Sequence, residues 1–83
     1  MTTGSRIASL RRRMSMTQPM LAEKMNVSRS TVTSWENDRR SVSNDDLIKL
    51  ADLFGVTTDY LLGHKIDLGD TPVAAHLRNG LSL

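Results

Sequence analysis

The sequence predicts an all-α domain of five short helices ending near residue 63, followed by a short C-terminal tail over 64–83. Three observations carry that expectation. Apolar side chains recur at helical spacing in successive segments. The segments open on Ser or Thr, which cap helix N-termini, and stop at Asn or Gly, which close C-terminal turns. The chain has 83 residues, about the size at which one small core suffices for a single domain.

Ile7, Leu10 and Met14 predict a first helix from about Ser5 to Met14. Thr17 can cap a second helix, with Pro19 tolerated in its first turn and Met20, Leu21 and Met25 forming its apolar stripe. Methionines 14, 16, 20 and 25 are expected as adaptable core filler. Asn26, Val27 and Ser28 break the pattern, and Ser28 caps a third helix from Arg29 to about Asn37. Ser43 followed by Asp46 resembles a capping box with Asp in place of Glu, and Leu47, Leu50, Ala51 and Phe54 run as a stripe to the stop at Gly55. Thr57 caps a last short helix bearing Tyr60, Leu61 and Leu62, closed by Gly63.

Residues 17–40 form the most informative stretch: two short helices joined by a tight turn and followed by paired arginines, the layout of a DNA-reading device. At 100° per residue the third helix puts Val32 and Trp35 on one side and Arg29, Ser30, Thr33, Ser34 and Asn37 on the other. Hydroxyl side chains are poor helix formers, costing a few tenths of a kcal/mol per position relative to Ala, so helix propensity did not select them. Short polar side chains do let a helix backbone approach a groove floor, bond to base edges and touch thymine methyls.

Charge is distributed to match. Residues 6–40 hold eight basic side chains against three acidic ones, while residues 41–65 hold two against four, so a basic side is expected to face phosphate and an acidic side to face away. There is no cysteine, which excludes disulfides and thiolate metal sites and suits a reducing cytoplasm. No apolar run of 18 residues and no signal-peptide core occurs, so no membrane partner is expected. His64 and His76 lack plausible co-ligands, and no phosphate-binding glycine loop, nucleophile elbow or His and carboxylate cluster is present. The expectation is a cytoplasmic, nucleoid-associated protein with no enzymatic activity, no metal and no cofactor.

Five ordered pieces, R-I-A-S-L-R, T-Q-P-M-L-A-E-K-M-N-V-S, S-T-V-T-S-W-E-N-D-R-R, D-L-I-K-L-A-D-L-F-G-V and T-T-D-Y-L-L-G, resemble the Cro and phage-repressor type of helix-turn-helix domain, the XRE family. The resemblance covers residues 5–63 and implies a lambda-repressor-like fold that binds double-stranded operator DNA as a homodimer. It further implies that Arg11, late in the first helix, pairs with Glu36 at the end of the reading helix, and that Gln18 binds phosphate and braces that helix. Thr17 and Ser28 join Gln18 as candidate DNA contacts at helix starts. Arg29, Ser30, Thr33 and Ser34 fall where the family reads base edges, and Asn37, Arg39 and Arg40 where it clamps the backbone. Arg29 is the strongest base reader, because its fork matches guanine O6 and N7. The chain departs from the family at Asp38, where glycine is usual; Asp enters a left-handed turn less easily and its charge is expected to face phosphates. Val42 stands where proline is common.

In the tail, Thr71 and Pro72 predict a short helix through Arg78, ended by Asn79 and Gly80. It is too short to fold alone, and docking on the domain, pairing with a second copy and leading into a further domain all remain open. The apolar ending at Leu81 and Leu83 fits a chain that continues in a longer natural protein. The expected function is that of a transcriptional repressor, from a phage, mobile element or bacterial genome, on a two-fold-symmetric operator. An antitoxin or developmental inhibitor whose main contact is a partner protein is the alternative, and an anti-repressor or other protein partner is compatible with either.

Overall fold

The computed structural model describes residues 1–64, and among them are five α-helices and no strand: α1 (Thr3–Arg13), α2 (Gln18–Met25), α3 (Arg29–Glu36), α4 (Asn44–Phe54) and α5 (Thr58–Leu62). The helix expected over 71–78 lies outside the described residues. Every helix opens on a hydroxyl cap: Thr2, Thr17, Ser28, Ser43 and Thr57 each accept from the backbone N–H three residues on. Such a cap contributes about 1 kcal/mol, which matters for helices of five to eleven residues that are marginal alone.

α1 starts two residues before the expected Ser5, because Thr2 and Ser5 cap each other reciprocally: Ser5 N–H donates to Thr2 Oγ1 at 3.0 Å and Thr2 N–H to Ser5 Oγ at 2.8 Å. In α2 the sulfur of Met20 takes the reciprocal position, accepting from Thr17 N–H at 3.5 Å. Met20 therefore stays at the surface. Met14, the C-cap of α1, is also exposed, so the expected methionine filler is realised only by Met16 and Met25. At α4, Ser43 accepts from Asp46 N–H but the Asp46 side chain makes no return bond. α3 ends at Glu36, with Asn37 as its C-cap.

Each helix sends at least one fully buried side chain to a common centre: Ile7 from α1, Leu21 from α2, Val32 and Trp35 from α3, Leu50 from α4 and Leu61 from α5. Each such burial is worth about 1.5–3 kcal/mol, and all five helices are held by the same core. In the short α5 only Leu61 is buried; Tyr60 and Leu62 face outward. Phe54 and Val42 pack half-buried against the core. No described helix is long and apolar enough to cross a membrane.

α1 packs its N-terminal turn directly on the C-terminal end of α3, and Gly4 makes this possible. A Cβ there would run into the Trp35 carbonyl oxygen and lie 2.7 Å from the Glu36 carbonyl oxygen, both of them backbone atoms. By helix propensity alone Gly4→Ala would stabilise by about 0.5–1 kcal/mol. Overpacking against rigid backbone costs about 1–3 kcal/mol and should win. Gly4→Ala is thus expected to lower the thermal midpoint by several degrees in a circular-dichroism melt, and an unchanged or raised midpoint would contradict this packing.

Candidate nucleic-acid interface

α2 and α3 are joined by a turn in which Asn26 takes the left-handed conformation (φ 58°, ψ 45°), which its short polar side chain tolerates better than most residues. Val27 N–H then bonds to Ala22 O at 3.0 Å, and the half-buried Val27 side chain anchors the turn to the core. Ser28 follows as the N-cap of α3, accepting from Thr31 N–H at 3.2 Å. With Val32 and Trp35 buried, the opposite face of α3 is presented outward.

That face forms a shallow concavity lined by Gln18 from the start of α2, Arg29, Ser30, Thr33 and Ser34 from α3, and Arg39 beyond it. Six of the ten DNA contacts expected from sequence thus meet in one place. Thr17 and Ser28 are the N-caps of α2 and α3, and Asn37 is the exposed C-cap of α3. Arg40 is separate. It folds back along the flank of α3, its Nη1 reaching 3.4 Å from Thr31 Oγ1. Thr31, absent from the contacts expected from sequence, sits in a hydroxyl cluster, 3.0 Å from Ser28 Oγ, which is itself 2.9 Å from Ser30 Oγ. The Ser28 to Thr31 spacing was the local signal available for it.

Beneath the concavity lies a continuous polar junction. Arg11 donates through Nε to Glu36 Oε2 at 2.7 Å, through Nη2 to Glu36 Oε1 at 3.1 Å, and through Nη1 to the Met16 carbonyl at 2.8 Å. Gln18 Nε2 donates to Glu36 Oε1 at 3.0 Å, and Thr33 Oγ1 donates to Gln18 Oε1 at 3.0 Å. The two charged side chains are only 10% and 6% exposed, so this is not a screened surface pair. The Glu36 hydrogen bond, helped by its charge, holds the Arg11 guanidinium above its ordinary range although burial acts the other way. Arg11 therefore keeps its charge and presents its fork to Glu36.

The turn after α3 is tied down from the other side. Asp38 is left-handed (φ 58°), and its carboxylate accepts from Gly4 N–H at 3.0 Å. The expectation that this carboxylate faces phosphates is therefore replaced: it faces the N-terminus of α1, where the free N–H groups and the helix dipole favour negative charge. Asp does here what glycine does elsewhere in the backbone and adds a fastening that glycine lacks. The contact joins residues 34 apart in sequence, and no local pattern announces it.

Comparison with known proteins agrees with this geometry. The helix-turn-helix family pattern matches residues 7–61. The chain belongs to that family. It is similar to the HTH-type transcriptional regulator ImmR of Bacillus subtilis (strain 168), at 40% identity over 63 residues covering 76% of this chain and 50% of that protein. It is also similar to the immunity repressor protein of Bacillus phage phi105, at 37% identity over 78% of this chain and 45% of that one. The chain spans about half the length of these two relatives. Among solved structures, the P22 c2 repressor in complex with a synthetic operator superposes with a TM-score of 0.73 and 25% identity, over 78% of this chain and 98% of that one. The all-α, five-helix, lambda-repressor-like fold expected from the sequence is the fold found.

Within this helix-turn-helix domain, removing one member of the buried pair leaves the other uncompensated. Glu36→Ala is expected to destabilise the fold by about 3 kcal/mol, since the bare Arg11 charge costs more than the pair itself contributes. A thermal melt matching the parent protein would remove the pair from its proposed role.

Proposed function

We propose that this chain is the DNA-binding part of a transcriptional repressor that occupies double-stranded operator DNA with α3 in the major groove. The observation that carries the reading is the shared concavity, in which Arg29, Ser30, Thr33 and Ser34 line the outer face of α3 and Gln18 and Arg39 flank it. Similarity to named repressors, one of them solved on operator DNA, supports it. Arg29, exposed in the first turn of α3, reads guanine O6 and N7 through its fork. Thr17, Gln18 and Ser28 contact phosphate from the starts of α2 and α3, and Asn37, Arg39 and Arg40 grip the backbone from the helix end and flank. The Arg11 and Glu36 pair ties α3, and through Gln18 the start of α2, to the scaffold.

The working unit is a homodimer. A single eight-residue helix spans too few base pairs for useful discrimination, whereas two copies on a dyad read two half-sites about one helical turn apart, roughly 10–10.5 base pairs. Ile48, Tyr60 and Leu62 stand exposed on α4 and α5, helices that contribute nothing to the concavity, and offer apolar surface for pairing. Selection of binding sites from random duplex DNA should enrich a two-fold-symmetric motif bound by two chains. Enrichment without a dyad, or a one-chain complex in analytical ultracentrifugation, would end the dimer reading.

Base reading and phosphate clamping separate in a salt series. Arg29→Ala is expected to cost about 1–3 kcal/mol on the selected operator and to relax preference at one base pair per half-site. Arg40→Ala is expected to weaken specific and scrambled duplexes alike, lowering the magnitude of the slope of log K against log salt by about 0.9 per lost phosphate contact. If Arg29→Ala loses affinity equally for both duplexes, Arg29 is a phosphate contact and the base reading passes to Ser30, Thr33 and Ser34.

A further inference from the structure

The polar junction under the concavity has a direction, and that direction sets what Thr33 has to offer. Glu36 receives both Nε and Nη2 of Arg11, and a carboxylate held by a guanidinium only accepts. The end of Gln18 that lies 3.0 Å from Glu36 Oε1 is therefore its NH2, which settles the amide orientation by chemistry. The Gln18 oxygen then faces Thr33 Oγ1 at 3.0 Å. Since an amide oxygen only accepts, the Thr33 hydroxyl proton is donated inward and is committed before any base approaches. With Oγ1 held, χ1 of this β-branched side chain is fixed and its methyl has one position.

Among the side chains lining the concavity, Gln18, Arg29, Ser30, Thr33, Ser34 and Arg39, Thr33 is the one that carries a methyl group. Its neighbours Arg29, Ser30 and Ser34 present polar donors. We propose that Thr33 is a specificity-determining residue that selects a thymine in each half-site by contact between its methyl and the thymine 5-methyl, while its hydroxyl serves only to hold the side chain. This rests on the DNA-reading function proposed above. The assignment leaves Thr33 unable to donate to a base edge, with only its oxygen lone pairs free to accept.

Replacing each thymine of the selected operator singly by deoxyuridine, which lacks the 5-methyl, tests this with the full chain unaltered. One thymine per half-site is expected to lose about three- to fourfold in affinity on replacement, the scale of one buried methyl group. Thr33→Ser, which keeps the hydroxyl and removes the methyl, should become indifferent to that replacement, and Thr33→Val, which keeps a methyl but frees the Gln18 oxygen, should retain at least part of the loss. Folding of both variants is checked by their thermal melts. No thymine sensitive to deoxyuridine, or a sensitivity that persists undiminished in Thr33→Ser, overturns the inference while leaving operator binding intact. A parent protein that enriches no sequence from random duplex overturns the functional reading and this inference together.

Discussion

The architecture depends on one partly buried guanidinium. Arg11 lies at the C-terminal end of α1, yet its three donors reach the carbonyl of Met16 in the turn before α2 and both carboxylate oxygens of Glu36 at the end of α3. Glu36 in turn holds Gln18 at the start of α2. Three helices and a turn thus converge on one ion pair, with the planar fork supplying geometry that an ammonium would not. Desolvating such a pair offsets much of its Coulomb attraction, so its contribution to stability is small in net terms. What it supplies is orientation: α3 is clamped relative to α1 and α2 in a way that an apolar contact, tolerant of sliding, would leave loose.

Orientation needs this help because α3 is intrinsically a poor helix. Its eight residues, RSTVTSWE, include four hydroxyl side chains and one β-branched valine, and a helix of that length is marginal even with good formers. Ser28 caps its start, Val32 and Trp35 are held in the core, Glu36 is held by Arg11 and Gln18, and Asp38 fastens the following turn to α1. Fixed at both ends and at its inner face, α3 can carry Arg29 and Ser34 on its outer face without relying on them for its own stability. Gly4 completes the arrangement, since without its missing Cβ the N-terminus of α1 would not reach the end of α3.

What the sequence disclosed and what it hid divide by the range of the interaction. Caps at Thr17, Ser28, Ser43 and Thr57 are legible because each is an exchange between residues three apart, and the stripes that hold Leu21, Trp35, Leu50 and Leu61 because helical spacing is periodic. The start of α1 is less legible because its apolar spacing begins only at Ile7, while the cap at Thr2 and the close approach at Gly4 lie ahead of it. Met14 and Met20 were misplaced because methionine is equally at home at a helix end, and at Met20 its sulfur serves the cap. The family resemblance supplied the Arg11 and Glu36 pairing, which spacing alone does not contain. The bond from Gly4 to Asp38 crosses 34 residues, and nothing local encodes it.

Thr33 and Gln18 are where support and recognition overlap. Val32, Trp35 and Glu36 serve the fold, while Arg29, Ser30 and Ser34 face outward; changes in one set should be nearly independent of changes in the other, as expected for groups that share no partner. Thr33 belongs to both sets, since it lines the concavity and ends the hydrogen-bonded chain that begins at Arg11. A change at Thr33 that removes its hydroxyl therefore alters the outer face and also frees the Gln18 oxygen, while a change at Glu36 removes the acceptor that orients the Gln18 amide. Reprogramming the outer face at Arg29, Ser30 and Ser34 should be tolerated by the fold. Reprogramming it at Thr33 should require a residue that still donates to Gln18, which restricts the choice to Ser and Thr among side chains of that size.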